Sequence, residues 1–280
     1  MPELPEVEIA ARRLNAAAAG ARVESAMAPG MVTMKTFDPP LDGIAGATVE
    51  GIRRRGKMFV VELGELALLV HLMSAGRLQL WDDRASLRDK ASRLLVRLDG
   101  GRELRLREFG TKQRAWAKLL PASEVEEDEA VATLGPEALP PPEDLAALLD
   151  QPRHLHPLLR DQRTIAGIGR SWVDEILWTA RLSPFKKGSE LDADEVERIG
   201  AAIGSILQGA IDHYEEVVGE KVPDKAPMPL QVHRRAGEPC PRCGTTIEAI
   251  HFKDYVMCYC PEEQTQGRVL KDRRLSRLLK

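Results

Sequence analysis

Aromatic side chains make up only 4% of this 280-residue chain, so aliphatic ones must fill its cores. No apolar run approaches the roughly 18–20 residues that a bilayer-crossing helix needs, which excludes that class of membrane protein. A secretory signal would begin with a basic segment followed by an apolar one; this chain opens on Pro and Glu, and no signal is visible. Cysteine is scarce as well. All four lie between Cys240 and Cys260, a distribution that reads as one metal site and not as a disulfide framework. A basic excess is also missing, since the net charge is −3. These absences describe a soluble cytoplasmic protein, long enough for two or three compact units with their own cores.

The net charge hides a segregation. Residues 53–118 carry 16 Lys/Arg against 8 Asp/Glu, residues 121–150 carry 9 acids and no base, and residues 266–280 carry 6 bases and one acid. Such a distribution can give an acidic protein a positive face for nucleic acid, although solvated charge around ordinary elements explains the same counts.

Hydrophobic spacing predicts a helix over 6–19, with Val7, Ala10, Ala11 and Leu14 on one face and Gly20 as its C-cap. Short strands follow at 58–63, 67–72, 77–81, 93–98 and 103–107 without helices between them, the pattern of a β-sandwich or barrel. The stretch 121–143, with three consecutive prolines at 140–142, reads as a domain linker. Beyond it Val196, Ile199, Ile203, Leu207, Ile211 and Tyr214 recur at helical steps, so 192–218 is a long amphipathic helix.

The opening Met-Pro-Glu-Leu-Pro-Glu-Val-Glu has a plain explanation, since Pro suits the first turn of a helix and Glu its positive end. Position adds a chemical one. A small residue at position 2 permits removal of Met1, which exposes a secondary amine on Pro2. An α-amino group has a pKa near 7.7–8, against about 10.4 for Lys, so roughly a tenth or more is neutral at pH 7. A neutral secondary amine can attack a sugar C1′ and form an iminium, and Glu3 beside it is placed to move protons.

Further motifs follow: Arg-Arg-Gly-Lys at 54–57; His71-Leu72 with Gly76; Arg107-Glu108-Phe109-Gly110; Asp161-Gln162-Arg163-Thr164-Ile165-Ala166-Gly167-Ile168-Gly169 with Asp174-Glu175-Ile176-Leu177 and Ser183-Pro184; Leu230-Gln231-Val232-His233; and Cys240-x2-Cys243, sixteen residues, then Cys260. Singly, Lys57 reads as an exposed hairpin lysine and Phe109 as a core residue. Together these motifs resemble the formamidopyrimidine-DNA glycosylase and endonuclease VIII family along most of the chain.

The resemblance implies an α+β protein. A catalytic β-sandwich with a flanking helix would span 1–123 and an acidic Pro-rich linker 124–143. A helical helix–two-turn–helix DNA-binding domain would span 144–229, and a zinc-finger β-hairpin with a basic tail 230–280. It implies a bifunctional DNA glycosylase/AP lyase of base excision repair, a monomer associated with the bacterial nucleoid, acting on damaged double-stranded DNA held in a basic cleft between the two domains. Pro2 would be the nucleophile, with Glu3 and Lys57 assisting proton transfer and phosphate positioning. His71, Met73, Arg107, Phe109, Gly167, Gly169 and Arg170 would contact DNA, the glycines by letting backbone N–H groups approach a phosphate. Met73, Arg107 and Phe109 would fill the gap left by an extruded base.

One structural Zn2+ would sit on Cys240, Cys243 and Cys260. For its fourth ligand the soft thiol of Cys258 is preferred to Glu263, which occupies the inherited position; a finger held by packing without metal is the third possibility. The chain departs from the family pattern elsewhere too. Ser74 stands where Met is expected and Met73 lies one place early; Arg170 replaces an Asn, His156 a Lys and Tyr255 an Arg; residues 220–229 lack the purine-covering stretch. Residues for sugar chemistry are retained, and residues for base and phosphate recognition have changed. That keeps two rivals in view, a catalytically weak paralogue that binds damaged or abasic DNA and a zinc-ribbon nucleic-acid protein.

Overall fold

A computed structural model describes residues 2–30, 32–86, 88–109, 112–253 and 255–270. Gly110 and the end of the basic tail, 271–280, lie outside the described residues. The chain forms two compact units, one made of residues up to Thr133 with Ile211–Pro227, the other of Leu134–Ala210 and the residues from Met228 onward.

In the first unit, helix α1 (Leu4–Ala18) precedes eight antiparallel strands: β1 (Val23–Met27), β2 (Gly51–Arg55), β3 (Met58–Leu63), β4 (Leu66–His71), β5 (Gly76–Trp81), β6 (Ser92–Leu98), β7 (Glu103–Glu108) and β8 (Trp116–Pro121). They make two sheets, β1-β6-β7-β5 and β2-β3-β4-β8. Alternate residues of both, such as Phe59, Val61, Leu68 and Val70 on one and Leu94, Val96, Leu104 and Leu106 on the other, share a core with Val7, Ala10 and Leu14 of α1. This is the expected sandwich with its flanking helix. Strands β1, β2 and β8, which the spacing does not reveal, are all edge strands. An edge strand such as β2, with Arg53, Arg54 and Arg55 in a row, carries too few core residues to show alternation.

The acidic stretch is folded where composition suggests a linker. Helix α2 (Glu129–Ala132) lies within it, Val125 and Val131 are buried, and Lys118 of β8 donates to Asp128 at 2.7 Å. Its acids neutralise bases of the sandwich, as Glu126 does for Arg53.

The second unit holds α3 (Leu145–Leu149), α4 (Leu155–Arg160), α5 (Arg170–Thr179), most of α6 (Ala193–Val217), the hairpin β9 (Glu248–His251)–β10 (Val256–Tyr259), and α7 (Pro261–Thr265). Among the described residues no helix is long and apolar enough to cross a membrane. Helix α5 is buried from Trp172 through Trp178, Asp174 and Glu175 included. Burial raises the Glu175 carboxyl above its ordinary range, and three backbone N–H groups oppose that, from Gln231 (3.0 Å), Val232 (2.9 Å) and His233 (2.8 Å). The segment leading into the finger is thereby fastened to α5. Glu175→Ala orphans three N–H groups, two of them in buried bonds, at about 1–3 kcal/mol each. Thermal unfolding should show a loss of at least about 3 kcal/mol; a change under 1 kcal/mol would mean that water or another acceptor replaces the carboxylate.

Candidate active site and metal centre

Glu3 is the N-cap of α1 and is 2% exposed. Its N–H donates to Glu6 Oε2 (2.8 Å), and the other oxygen of Glu6 accepts the Tyr214 hydroxyl (2.6 Å). Tyr214 is fully buried, and that burial together with the negative charge of Glu6 and Glu3 pushes its phenol far above the ordinary range, so it keeps its proton and donates it to Glu6. The residue that follows Pro2 is thus locked, where chain termini ordinarily fray. Spacing alone places Tyr214 on the apolar face of α6; nothing local announces that its hydroxyl meets Glu6.

Gly56 and Lys57 form the β2–β3 turn, Gly56 with φ 57°. Lys57 is 7% exposed, which removes the reading as an ordinary surface lysine. Register places Met58 opposite His71. Burial, with the Lys57 charge added to it, pulls His71 down to about 4, so its ring is neutral at neutral pH. It stacks on Trp116 (5.4 Å between centroids, 14°), and its Nδ1 accepts the Met73 N–H at 2.9 Å.

That bond holds a strained residue. Met73 has φ 48°, a left-handed conformation that costs a side-chain-bearing residue roughly 1–2 kcal/mol. Beyond the loop, β5 pairs with β7 so that Gly76 faces Glu108, and the Phe109 N–H donates to Ala75 O (3.3 Å). The Arg107 guanidinium lies 4.7 Å from the Phe109 ring centroid and 5.1 Å from that of Trp81. Phe109 is 49% exposed, a projecting side chain and not a core one. Arg77, at the start of β5, was not singled out by motif; burial lowers its pKa although Asp224 and Glu6 oppose that, and it donates to Asp224 O.

In the second unit the turn before α5 is built by Gln162, whose amide donates to Arg160 O and Ile168 O (both 2.8 Å) and accepts the Gly167 N–H (3.0 Å). Gly167 has φ 108°, which requires glycine, and Gly169 is the N-cap of α5. Arg170 is exposed on the first turn.

Cys240, Cys243 and Cys260 bring their sulfurs within 4.8 Å of one another, Cys243 and Cys260 to 3.4 Å. Burial raises the Cys240 pKa, but N–H groups of Cys243 and Arg242 outweigh it and hold the thiol below its ordinary range. Burial and the neighbouring sulfurs push Cys260 upward. Such a set suits a soft divalent cation. Cys258 is not part of this cluster. β10 runs as a regular ladder, with Cys258 opposite Ala249, and ends at Tyr259 before the chain turns into α7; the Cys258 sulfur meets backbone N–H groups of Arg234, Arg235 and Ala236 instead. Glu263 pairs with Arg181 (3.1 Å) and Arg242 (3.4 Å).

Residues 1–112 match the model of the "Formamidopyrimidine-DNA glycosylase N-terminal domain" and residues 134–221 that of the "Formamidopyrimidine-DNA glycosylase H2TH domain". The formamidopyrimidine-DNA glycosylase of Streptococcus mutans is 35% identical over 95% of this chain and all of that one; the Roseiflexus sp. enzyme is 36% identical over 94% and all of that one. Among solved structures, a Lactococcus lactis enzyme in complex with abasic-site DNA superposes with a TM-score of 0.83 at 27% identity, covering 94% of this chain and 99% of that one. The same enzyme in complex with an N7-benzyl-Fapy-dG DNA gives 0.83 at 28%, covering 94% and 100%.

The left-handed Met73 generates a stability prediction. Met73→Gly should hold or raise the thermal midpoint, because the relieved strain of roughly 1 kcal/mol offsets the extra unfolded-state entropy of glycine. Met73→Val, β-branched in a left-handed position, should lower stability by about 1–2 kcal/mol. The reverse ranking would show that side-chain packing, and not backbone strain, sets the energy of this loop.

Proposed function

The chain belongs to the formamidopyrimidine-DNA glycosylase family, and from that premise we propose that it is a bifunctional DNA glycosylase/AP lyase of base excision repair acting through the amine of Pro2. The observation that supports this most is the fixed start of α1: Glu3 is buried, its N–H held by Glu6 and Glu6 in turn by Tyr214. An amine on a frayed terminus would lose orientation, and orientation is a large share of what a catalytic group contributes.

The lone pair of the Pro2 nitrogen attacks C1′, and the damaged base leaves with the electrons of the glycosidic bond and takes up a proton. Opening of the sugar ring, with a proton moved to its oxygen, leaves an iminium between Pro2 and C1′. Loss of a C2′ proton then lets the 3′ phosphate depart with the C3′–O bond pair, a second elimination releases the 5′ phosphate, and water hydrolyses the iminium to free the amine. Glu3 moves these protons. Lys57 sits beside a His71 kept neutral, so that ring adds no second positive charge where Lys57 would meet a phosphate. Met73, Arg107 and Phe109 fill the space of the extruded base, Phe109 by virtue of its exposure. The glycines 167 and 169 open the N-terminus of α5 to a phosphate, with Arg170 adding charge.

Borohydride should cross-link the protein to an abasic duplex through Pro2, and Pro2→Gly or retention of Met1 should cut trapping at least tenfold. Undiminished trapping in both, with the adduct mapped to an internal lysine, would falsify the assignment. Tight binding of the duplex without any trapping by the parent chain would instead favour the weak paralogue, the reading that the changed residues His156, Arg170 and Tyr255 recommend.

Zinc fits the three clustered thiols, and when bound it would neutralise their charge and pin the finger. Cys240, Cys243 and Cys260 would supply three ligands and Glu263 the fourth, by exchanging its guanidinium partners for the metal. Purified protein should carry about one zinc, Cys240→Ser should lose it together with thermal stability, and Cys258→Ser should keep it. Zinc lost in Cys258→Ser but kept in Glu263→Gln would reverse this ligand set, and zinc-free parent protein prepared without chelators would end it.

A further inference from the structure

The face of sheet β1-β6-β7-β5 turned away from the shared core carries a line of contacts that begins on a buried carboxylate and ends on an exposed ring. Trp81 ends β5 and lies opposite Glu103 of β7. Glu103 is fully buried and accepts Arg105 Nε at 2.6 Å, while the Arg105 side chain also donates to the Asp83 carbonyl. Fixed in this way, the Arg105 guanidinium carbon lies 4.8 Å from the Trp81 ring centroid. That of Arg107 lies 5.1 Å from the same centroid and 4.7 Å from the centroid of Phe109, the exposed end of the line.

The rings hold the middle of this line. Trp81 Nε1 and Arg107 Nε are both buried and have no hydrogen-bond partner among the described residues. The ion pair of Arg107 with Asp89 is long, at 4.0 Å. A tryptophan whose indole N–H bonds nothing is placed for its ring, and a guanidinium whose Nε bonds nothing is placed by the rings beside it. Cation–π attraction is strongest for Trp and grows as the pair is withdrawn from water. Two guanidiniums near one ring repel each other, and Glu103, Asp83 and Asp89 supply the opposing charge. The consequence falls on Phe109. A side chain that enters a base stack must unstack a step, and a freely rotating ring must also surrender its rotamers. A ring already seated on Arg107 has surrendered them in the free protein.

We propose that Trp81 is a positioning residue: it seats the Arg107 guanidinium, and through it holds Phe109 in the orientation from which that ring enters the duplex. The inference rests on the reading of Phe109 as a wedge. It gives Trp81 a part in extruding the base and none in the chemistry at C1′.

The test uses the full chain and a duplex with 2-aminopurine opposite a tetrahydrofuran abasic analogue, because 2-aminopurine brightens when it loses its stacking neighbours. Affinity for that duplex, borohydride trapping on an abasic duplex and thermal midpoints are measured alongside. Saturating parent protein should raise the fluorescence at least about twofold. Trp81→Leu should lose at least about half of that rise, with affinity within about threefold and trapping unchanged, since an abasic site has no base to extrude. Trp81→Phe, which keeps a ring, should recover most of the rise. Adding Phe109→Ala to Trp81→Leu should remove little more than Phe109→Ala alone, because both break one line of contacts. Parent fluorescence in Trp81→Leu, additive losses in the double variant, or a loss that Trp81→Phe does not recover overturns the inference. If Trp81→Leu does not fold, Trp81→Phe should shift the signal slightly in the parent and not at all in Arg107→Met; equal shifts in both overturn it. A parent that fails to bind the duplex overturns the DNA-processing reading, and a full rise in Phe109→Ala overturns the wedge reading. A parent whose rise depends on Phe109 but not on Trp81 overturns only this inference.

Discussion

A carboxylate removed from water must find donors or lose its charge, and Asp174 and Glu175 sit side by side on a helix buried on every face. Their donors come from far along the chain. Glu175 takes the N–H groups of residues 231–233, while Asp174 takes the His233 ring (2.6 Å), the His156 ring (3.2 Å) and the Cys258 N–H (3.0 Å). Two adjacent acids thus hold α4, the approach to the finger and strand β10 on one helix. The thiol cluster and Tyr255 both hang from segments fixed this way, so both depend on it before any ligand arrives.

The first unit applies the same constraint on a smaller scale. Glu108 is 3% exposed and accepts the N–H groups of Arg114 (2.7 Å) and Ala115 (3.0 Å), turning the chain from β7 toward β8. Glu103, fully buried, takes the Ala85 N–H at 2.9 Å and ion-pairs with Arg105 and Arg97. Glu6 does for α1 what Glu175 does for the finger. A packed sandwich with such anchors over-determines its loops, and only an over-determined loop can keep a methionine at φ 48°.

Much of this was legible. Period-two spacing marks β3 at its observed limits, because Phe59, Val61 and Leu63 face the shared core. Of the motif residues, Lys57 lies in the β2–β3 turn and Gly169 caps α5. Spacing fails where the decisive contact is long-range. Nothing near Tyr214 or Arg77 in sequence indicates Glu6 or Asp224. Softness favours Cys258 over Glu263 as a ligand in the sequence, and nothing local in it indicates that the Cys258 sulfur meets the backbone of 234–236. The acidic stretch has the composition of a linker, yet Val125 and Val131 within it are buried and its Glu126 and Asp128 pair with Arg53 and Lys118 of the strands.

The departures from the pattern that the resemblance implies fall in both units, at Met73, Ser74 and most of 220–229 in the first and at His156, Arg170, Tyr255 and Glu263 in the second. Each unit has its own core, so substitutions around Tyr255 can be absorbed by Arg160, His156 and Phe252 without disturbing the packing that fixes Glu3. The proposed chemistry needs one secondary amine, a held carboxylate and a buried lysine, all supplied by the start of α1 and the β2–β3 turn. Grip on the phosphate backbone needs only charge at a suitable height, and more than one side chain can deliver it. A chain can therefore rewrite how it holds its partner while leaving the reacting groups where they were. Retained reaction residues beside altered recognition residues are what that independence would produce.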